Sequence, residues 1–178
     1  MAKPVLYTIV CAAGSAPQVY EFVEAAQAAN WDVCVILTPS ATRFVDAAEL
    51  AQLTGHPVRS EYKQPGSQDV LPRADALLVF PATFNTLNKW ALGISDNLAL
   101  GLLCEFTGLK MPILAVPSVR KGGGLDMHPA FMRSVRMLRR YGVHVFYKPE
   151  VYPPRNEVPY DVMLNELHKI YSPSSNFS

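Results

Sequence analysis

The sequence is sparing with the features that mark several large protein classes. It has 3 cysteines, Cys11, Cys34 and Cys104, far apart, in apolar surroundings and without CxxC spacing. That argues against a disulfide framework and against a thiolate zinc site. No apolar stretch approaches the roughly 20 residues that a membrane span requires. The opening Met-Ala-Lys-Pro has no signal-peptide pattern. Net charge is almost absent, since 16 Lys+Arg oppose 15 Asp+Glu to leave +1. Such a balance gives no bulk attraction to nucleic acid or to an anionic membrane. Neither GxGxxG nor GxxxxGK[ST] occurs, which sets aside two large nucleotide-binding classes. No internal repeat is present. These absences point to a reduced, cytoplasmic, soluble protein.

Apolar residues, by contrast, make up 49% of the 178 residues, enough to fill the core of one ordinary domain. Continuous apolar runs at Val5–Cys11, Asp32–Leu37, Ala76–Phe80, Met111–Val116 and Val143–Phe146 read as strands buried on both faces. Helical periods lie between them, at Gln18–Ala29, Thr42–Leu53, Thr86–Phe106 (with Gly93 as its weak point) and Pro129–Tyr141. Val58–Tyr62 reads as a short strand and Lys63–Gln68 as a Gly/Pro/Ser loop. Residues 1–150 form the main domain. Residues 151–178 add a Pro-rich linker, an amphipathic helix over Tyr160–Tyr171 that packs on the same domain, and a loose polar tail. Strands alternating with helices predict a parallel sheet with helices on both faces.

In such a sheet, ligands bind outside the carboxyl ends of the strands. The segments placed there are Gly14–Pro17, Thr38–Thr42, Pro81–Thr86 and Pro117–Gly124, all rich in small polar residues. Gly14 lets backbone N–H groups approach an anion, and Ser15 either binds that anion or caps the helix. Ser40 offers the same two roles at the second turn. A single-phosphate mononucleotide suits this rim. Arg120 and Lys121, after the fourth long apolar run, can meet a carboxylate or phosphate, or simply face solvent. Gly122–Gly124 reads as a mobile lid or a disordered turn. The row Arg133, Arg136, Arg139 and Arg140 reads as a solvated helix face. Ser95, Asp96 and Asn97 interrupt an apolar helix, where unpaired polar groups are costly. They face a ligand or partner chain, or bond within a local turn.

Two motifs at fixed spacing, Pro81-Ala82-Thr83-Phe84-Asn85-Thr86 and Gly93-Ile94-Ser95-Asp96-Asn97-Leu98, carry a resemblance. Together they are similar to the signature of the FMN-binding flavoproteins that include the phosphopantothenoylcysteine and peptidyl-cysteine decarboxylases. Gly14-Ser15 and the run Ser40 to Phe44 sit where that family contacts FMN, and His128-Pro129-Ala130 resembles its His-Pro-Ala-Thr segment. The resemblance covers Val5 to Phe146. It implies a three-layer Rossmann-like (flavodoxin-like) α/β fold. FMN would lie near a subunit interface in a homotrimer or an assembly of trimers. Gly14, Ser15 and Ser40 would hold the phosphate, and Thr83, Asn85 and Thr86 would border the isoalloxazine. Phe44 would pack on the flavin, and Ser95 and Asp96 would lie at the subunit contact.

Departures from that family fall on the substrate side. Where the decarboxylases place a catalytic histidine, this chain has Ser67, and no histidine lies between His56 and His128. The Asn of the family's Pro-x-Met-Asn clamp is missing, and the matching stretch is Val119-Arg120-Lys121-Gly122. Ser67, Arg120 and Lys121 are therefore the catalytic candidates. A serine takes up a proton near neutral pH only with an activating base. The leading expectation is a flavin-dependent decarboxylase or oxidoreductase acting on a small molecule or a peptide end. A flavin prenyltransferase-like enzyme, with Arg120 and Lys121 on the prenyl phosphate, is the second. A non-catalytic FMN-binding or regulatory subunit is the third.

Overall fold

A computed structural model describes residues 2–68 and 70–171. The strands are β1 (Val5–Val10), β2 (Asp32–Leu37), β3 (Ala76–Ala82), β4 (Ile113–Pro117) and β5 (His144–Val145). The helices are α1 (Val19–Ala28), α2 (Ala47–Thr54), α3 (Phe84–Ala91), α4 (Leu98–Gly108), α5 (Pro129–Arg140) and α6 (Tyr160–Ile170). All strand pairs are parallel, in the order β2-β1-β3-β4-β5. This is the flavodoxin-like arrangement.

Every residue of β1, β3 and β4 is buried, which explains their apolar composition, broken only by Thr8 in β1. Side chains alternate between two cores. Tyr7, Ile9, Leu77 and Val79 pack with Leu87, Leu103, Phe131 and Val135 on the α3–α4–α5 side. Leu6, Val10, Leu78 and Phe80 pack with Phe22, Val23 and Leu167 on the α1–α6 side. The three-layer α/β expectation holds. Among the described residues no helix is long and apolar enough to cross a membrane.

Three local expectations change, and one break falls where the sequence marks it. The helical stretch over Thr86–Phe106 is two helices, parted at its weak point, Gly93. Gly93 adopts φ +72, where a side chain would be strained, and Asn97 starts α4 anew by accepting the Leu100 N–H at 3.0 Å. The helix read from Thr42 starts instead at Ala47, behind a 3-10 turn over Pro39–Arg43, with Asp46 as its cap. Another 3-10 turn, Ala16–Gln18, precedes α1 and accommodates Pro17. The strand read over Val58–Tyr62 amounts to one parallel bridge, Arg59 with Ile36. The polar tail, residues 172–178, lies outside the described residues.

Candidate functional site

β1 connects to β2 on one side, while β3 lies on the other side of β1. The loops that follow β1 and β3 therefore part and leave a crevice at the strand C-termini. In the loop after β1, the Ala16 N–H closes a turn onto the Ala13 carbonyl at 2.9 Å. The N–H groups of Gly14 and Ser15 have no backbone acceptor among the described residues. A Cβ built on Gly14 would meet nothing within 4 Å, and the residue is not left-handed. Neither packing nor backbone demands glycine there, so its side of the loop is open to a bound group. The Ser15 hydroxyl lies 3.2 Å from that of Ser118, tying this loop to the one after β4.

The loop after β3 is a helix start. Thr83 caps α3, its Oγ1 accepting the Thr86 N–H at 3.4 Å and donating to the Thr86 hydroxyl at 3.1 Å. Asn85 is exposed in the first turn, with its carboxamide bonded to no described residue. Beneath them Cys11 is fully buried, and burial pushes its thiol up, against opposing contacts from Thr86 and Thr83. It stays protonated and packs. The loop after β2 joins the same rim through the Thr38 N–H to the Val10 carbonyl, 3.0 Å. Ser40 stands exposed there, and Phe44 is 41% exposed, leaving its ring open to a bound group.

The loop after β4 is ordered by a carboxylate. Asp126 accepts the Gly122 N–H at 2.7 Å and the Gly124 N–H at 3.1 Å. Gly122–Gly124 is thus a closed turn, and not a disordered one. Arg120 and Lys121 are exposed on it, and the Lys121 N–H binds the Pro154 carbonyl at 3.1 Å. Asn156 ties these segments down from below. Buried, at φ +62, it donates to the carbonyls of Pro117 (3.1 Å) and Phe146 (2.8 Å) and accepts the Lys148 N–H (2.8 Å). Its neighbour Arg155 lines one small cavity with Ser15, Phe80 and Ser118. Asp126, Arg155 and Asn156 were not read from the sequence. A Pro-Pro-Arg-Asn run does suit a tight turn with a left-handed Asn, and is the signal that marks Asn156.

The remaining candidates sit apart. The Ser67 hydroxyl donates to the Gln64 carbonyl at 2.7 Å within its own exposed loop, and no basic group among the described residues accepts from it. Asp96 is paired with Lys89, six residues or about 9 Å down α3 from Thr83. Ser95 shares that exposed turn, flanked by Leu92 (59% exposed) and Ile94 (40% exposed). The Ser95–Asn97 interruption is a helix-to-helix turn with its own cap and ion pair, which removes the cost of three polar residues in an apolar helix.

The family model described as "Flavoprotein" matches residues 2–166. The chain belongs to the flavoprotein family. The bifunctional coenzyme A biosynthesis protein CoaBC of Mycobacterium tuberculosis is 35% identical over 121 residues, covering 66% of this flavoprotein and 28% of that protein. A cysteine/cysteine sulfinic acid decarboxylase from an unknown prokaryotic organism is 31% identical over 102 residues, 54% of this chain and 27% of the relative. This chain thus spans under a third of the length of those curated relatives. Two solved structures share the fold at 22% identity. The FMN-dependent cysteine decarboxylase SpaF gives a TM-score of 0.78 over 96% of this chain and 99% of its own. The peptidyl-cysteine decarboxylase EpiD gives 0.74 over 93% and 98%.

Proposed function

We propose that this flavoprotein holds FMN in the β1/β3 crevice and acts as a decarboxylase-type enzyme on a small molecule or a peptide end. The observation that carries the cofactor assignment is the loop after β1. That loop, at the strand C-termini beside a capped helix start, carries two N–H groups without a backbone acceptor among the described residues, a serine hydroxyl shared with Ser118 and an open glycine. That donor set suits a phosphate. Ser40 extends it from the next loop, Asn85 and Thr86 offer an amide and a hydroxyl to the ring edge, and Phe44 offers an apolar face. Bound FMN supplies two-electron exchange with the substrate. The chain contributes orientation and charge, with Arg120 and Lys121 placed to meet an acidic group on the substrate. Relatives named as cysteine decarboxylases support the reaction class.

Ser95, Asp96, Leu92 and Ile94 share an exposed turn that suits contact with another copy of the chain, and a homotrimer or an assembly of trimers is the reading we adopt. The deciding experiment is the visible spectrum of the purified protein, with FMN added back. This is followed by carbon dioxide release from cysteine, cysteine sulfinate and short peptides ending in cysteine. Flavin bands with FMN released by acid, plus carbon dioxide from one substrate, is the expected result. No flavin on titration would overturn the cofactor assignment. Flavin without turnover would move the protein to the non-catalytic reading, which the self-satisfied Ser67 hydroxyl favours.

A further inference from the structure

The chain has 4 histidines, and the fold sorts them by rim. His56 lies 2.7 Å from Asp32, the first residue of β2. His144, the first residue of β5, lies 2.7 Å from Glu166. His168 packs against Trp31, just before β2. All three are at the strand N-termini, on the far side from the crevice. His128 alone stands at the strand C-termini, as the cap of α5.

Its ring is held in a defined way. The Nδ1 accepts the Ala130 N–H at 3.1 Å. An acceptor nitrogen carries no proton, so in this geometry the other nitrogen, Nε2, bears the hydrogen. The ring meets Phe84 edge to face, with centroids 5.5 Å apart and planes at 83°. Phe84 is the first residue of α3, between the cap Thr83 and the exposed Asn85. The imidazole is therefore packed at the crevice, and no described residue accepts from its Nε2–H. The same loop carries two cations, Arg120 and Lys121, and its own carboxylate, Asp126, is already engaged by Gly122 and Gly124.

We propose that His128 is a substrate-recognition residue, which donates its Nε2–H to a carboxylate or carbonyl oxygen of the molecule bound beside α3. It is a donor and not the base of the site, because Nδ1, the nitrogen able to take a proton, is occupied by the Ala130 N–H. This inference rests on the proposed decarboxylase reading for the location of the substrate, and it adds the group that reads the acid end.

Two substitutions separate the roles of the two nitrogens. His128→Asn retains an acceptor for the Ala130 N–H and removes the distal donor. His128→Gln retains a donor at about the reach of Nε2. The flavin-loaded protein is titrated with two probes, N-acetyl-L-cysteine and N-acetyl-L-cysteine amide, which differ only in the carboxylate. Flavin content of each variant is read separately from its absorbance. We expect His128→Asn to weaken the acid probe about tenfold while the amide probe and the flavin content are unchanged, and His128→Gln to restore the acid probe. Equal binding of the acid probe by the native protein and His128→Asn would overturn the donor role. Loss in both variants, with loss of the basic or acidic limb of the activity profile, would overturn it in favour of a proton-transfer role. Absence of flavin in the native protein would fail the cofactor reading by a different measurement from the probe titration.

Discussion

At the scale of single residues, the crevice includes groups the protein does not need for folding. Gly14 is the clearest, because its backbone is ordinary and a side chain there would touch nothing. Gly14→Ala is therefore expected to leave stability within about 0.5 kcal/mol, as for an unconstrained surface change. It is also expected to weaken FMN about tenfold or more by occupying the space beside the free N–H groups. Thermal melts of the flavin-free protein and a flavin titration check the two halves. Gly101 is the opposite case. A Cβ there would lie 2.2 Å from the Tyr62 hydroxyl, which bonds the Asn97 carbonyl at 3.1 Å. Gly101→Ala should eject Tyr62, cost about 1 kcal/mol for the lost hydrogen bond, and hasten tryptic cleavage after Lys63. Tyr62→Phe made first should shrink that loss, since the shared bond is already gone.

At the scale of elements, the loop after β4 depends on ionised Asp126. The Gly122 N–H, with a smaller contribution from Gly124, holds its carboxyl below the usual carboxylate range. The sign follows from linkage. A depressed folded value means that the order this carboxylate gives the loop is complete above the ordinary carboxylate pKa. That order is lost as pH falls through the depressed value. Binding of an acidic probe should therefore weaken in acid before flavin does. Asp126→Asn should weaken the probe at neutral pH and flatten its dependence in acid. Probe and flavin titrations over the same pH series test this.

Elements differ in how far the sequence discloses them. The strands are legible because a sheet covered on both faces favours apolar side chains, as in Ala76–Ala82 and, but for the buried Thr8, in Val5–Val10. The break between α3 and α4 is legible at Gly93, but its extent to the Asn97 cap is not, because Leu92 and Ile94 continue the apolar pattern through the turn. The cofactor side of the crevice is legible for a related reason. Its groups are local, each within a few residues of a strand end. The roles of His128 and Asn156 come from contacts whose meaning depends on which loops the sheet brings together. Asn156 reaches Pro117, 39 positions away, and no spacing along the chain announces that.

At the scale of the whole molecule, the two faces of the sheet are filled, and the apolar surplus sits at its periphery. Leu92 and Leu109 are each 59% exposed, more than an isolated domain gains from, and Tyr141 adds 40% at the same end of α3, α4 and α5. If copies of the chain meet on the turn bearing Leu92, Ile94, Ser95 and Asp96, a charge there should separate them. Leu92→Arg is expected to reduce the mass measured by sedimentation towards 19.6 kDa while far-ultraviolet dichroism is unchanged. Flavin content should fall with the mass if the cofactor sits near the contact.

The loops that face the crevice hang from different strands. Those suited to FMN follow β1, β2 and β3, and those that would meet the substrate follow β4 and β5, where the Asn156 carboxamide clips Pro117 and Phe146 together. A clip of this kind acts like the chuck of a drill. It grips main-chain atoms and is indifferent to the side chains carried beyond it. Residues 120–127, beyond the Ser118 tie to Ser15 and the buried Val119, can therefore be exchanged as one piece, so that what the scaffold acts upon can change while the flavin cradle stays as it is.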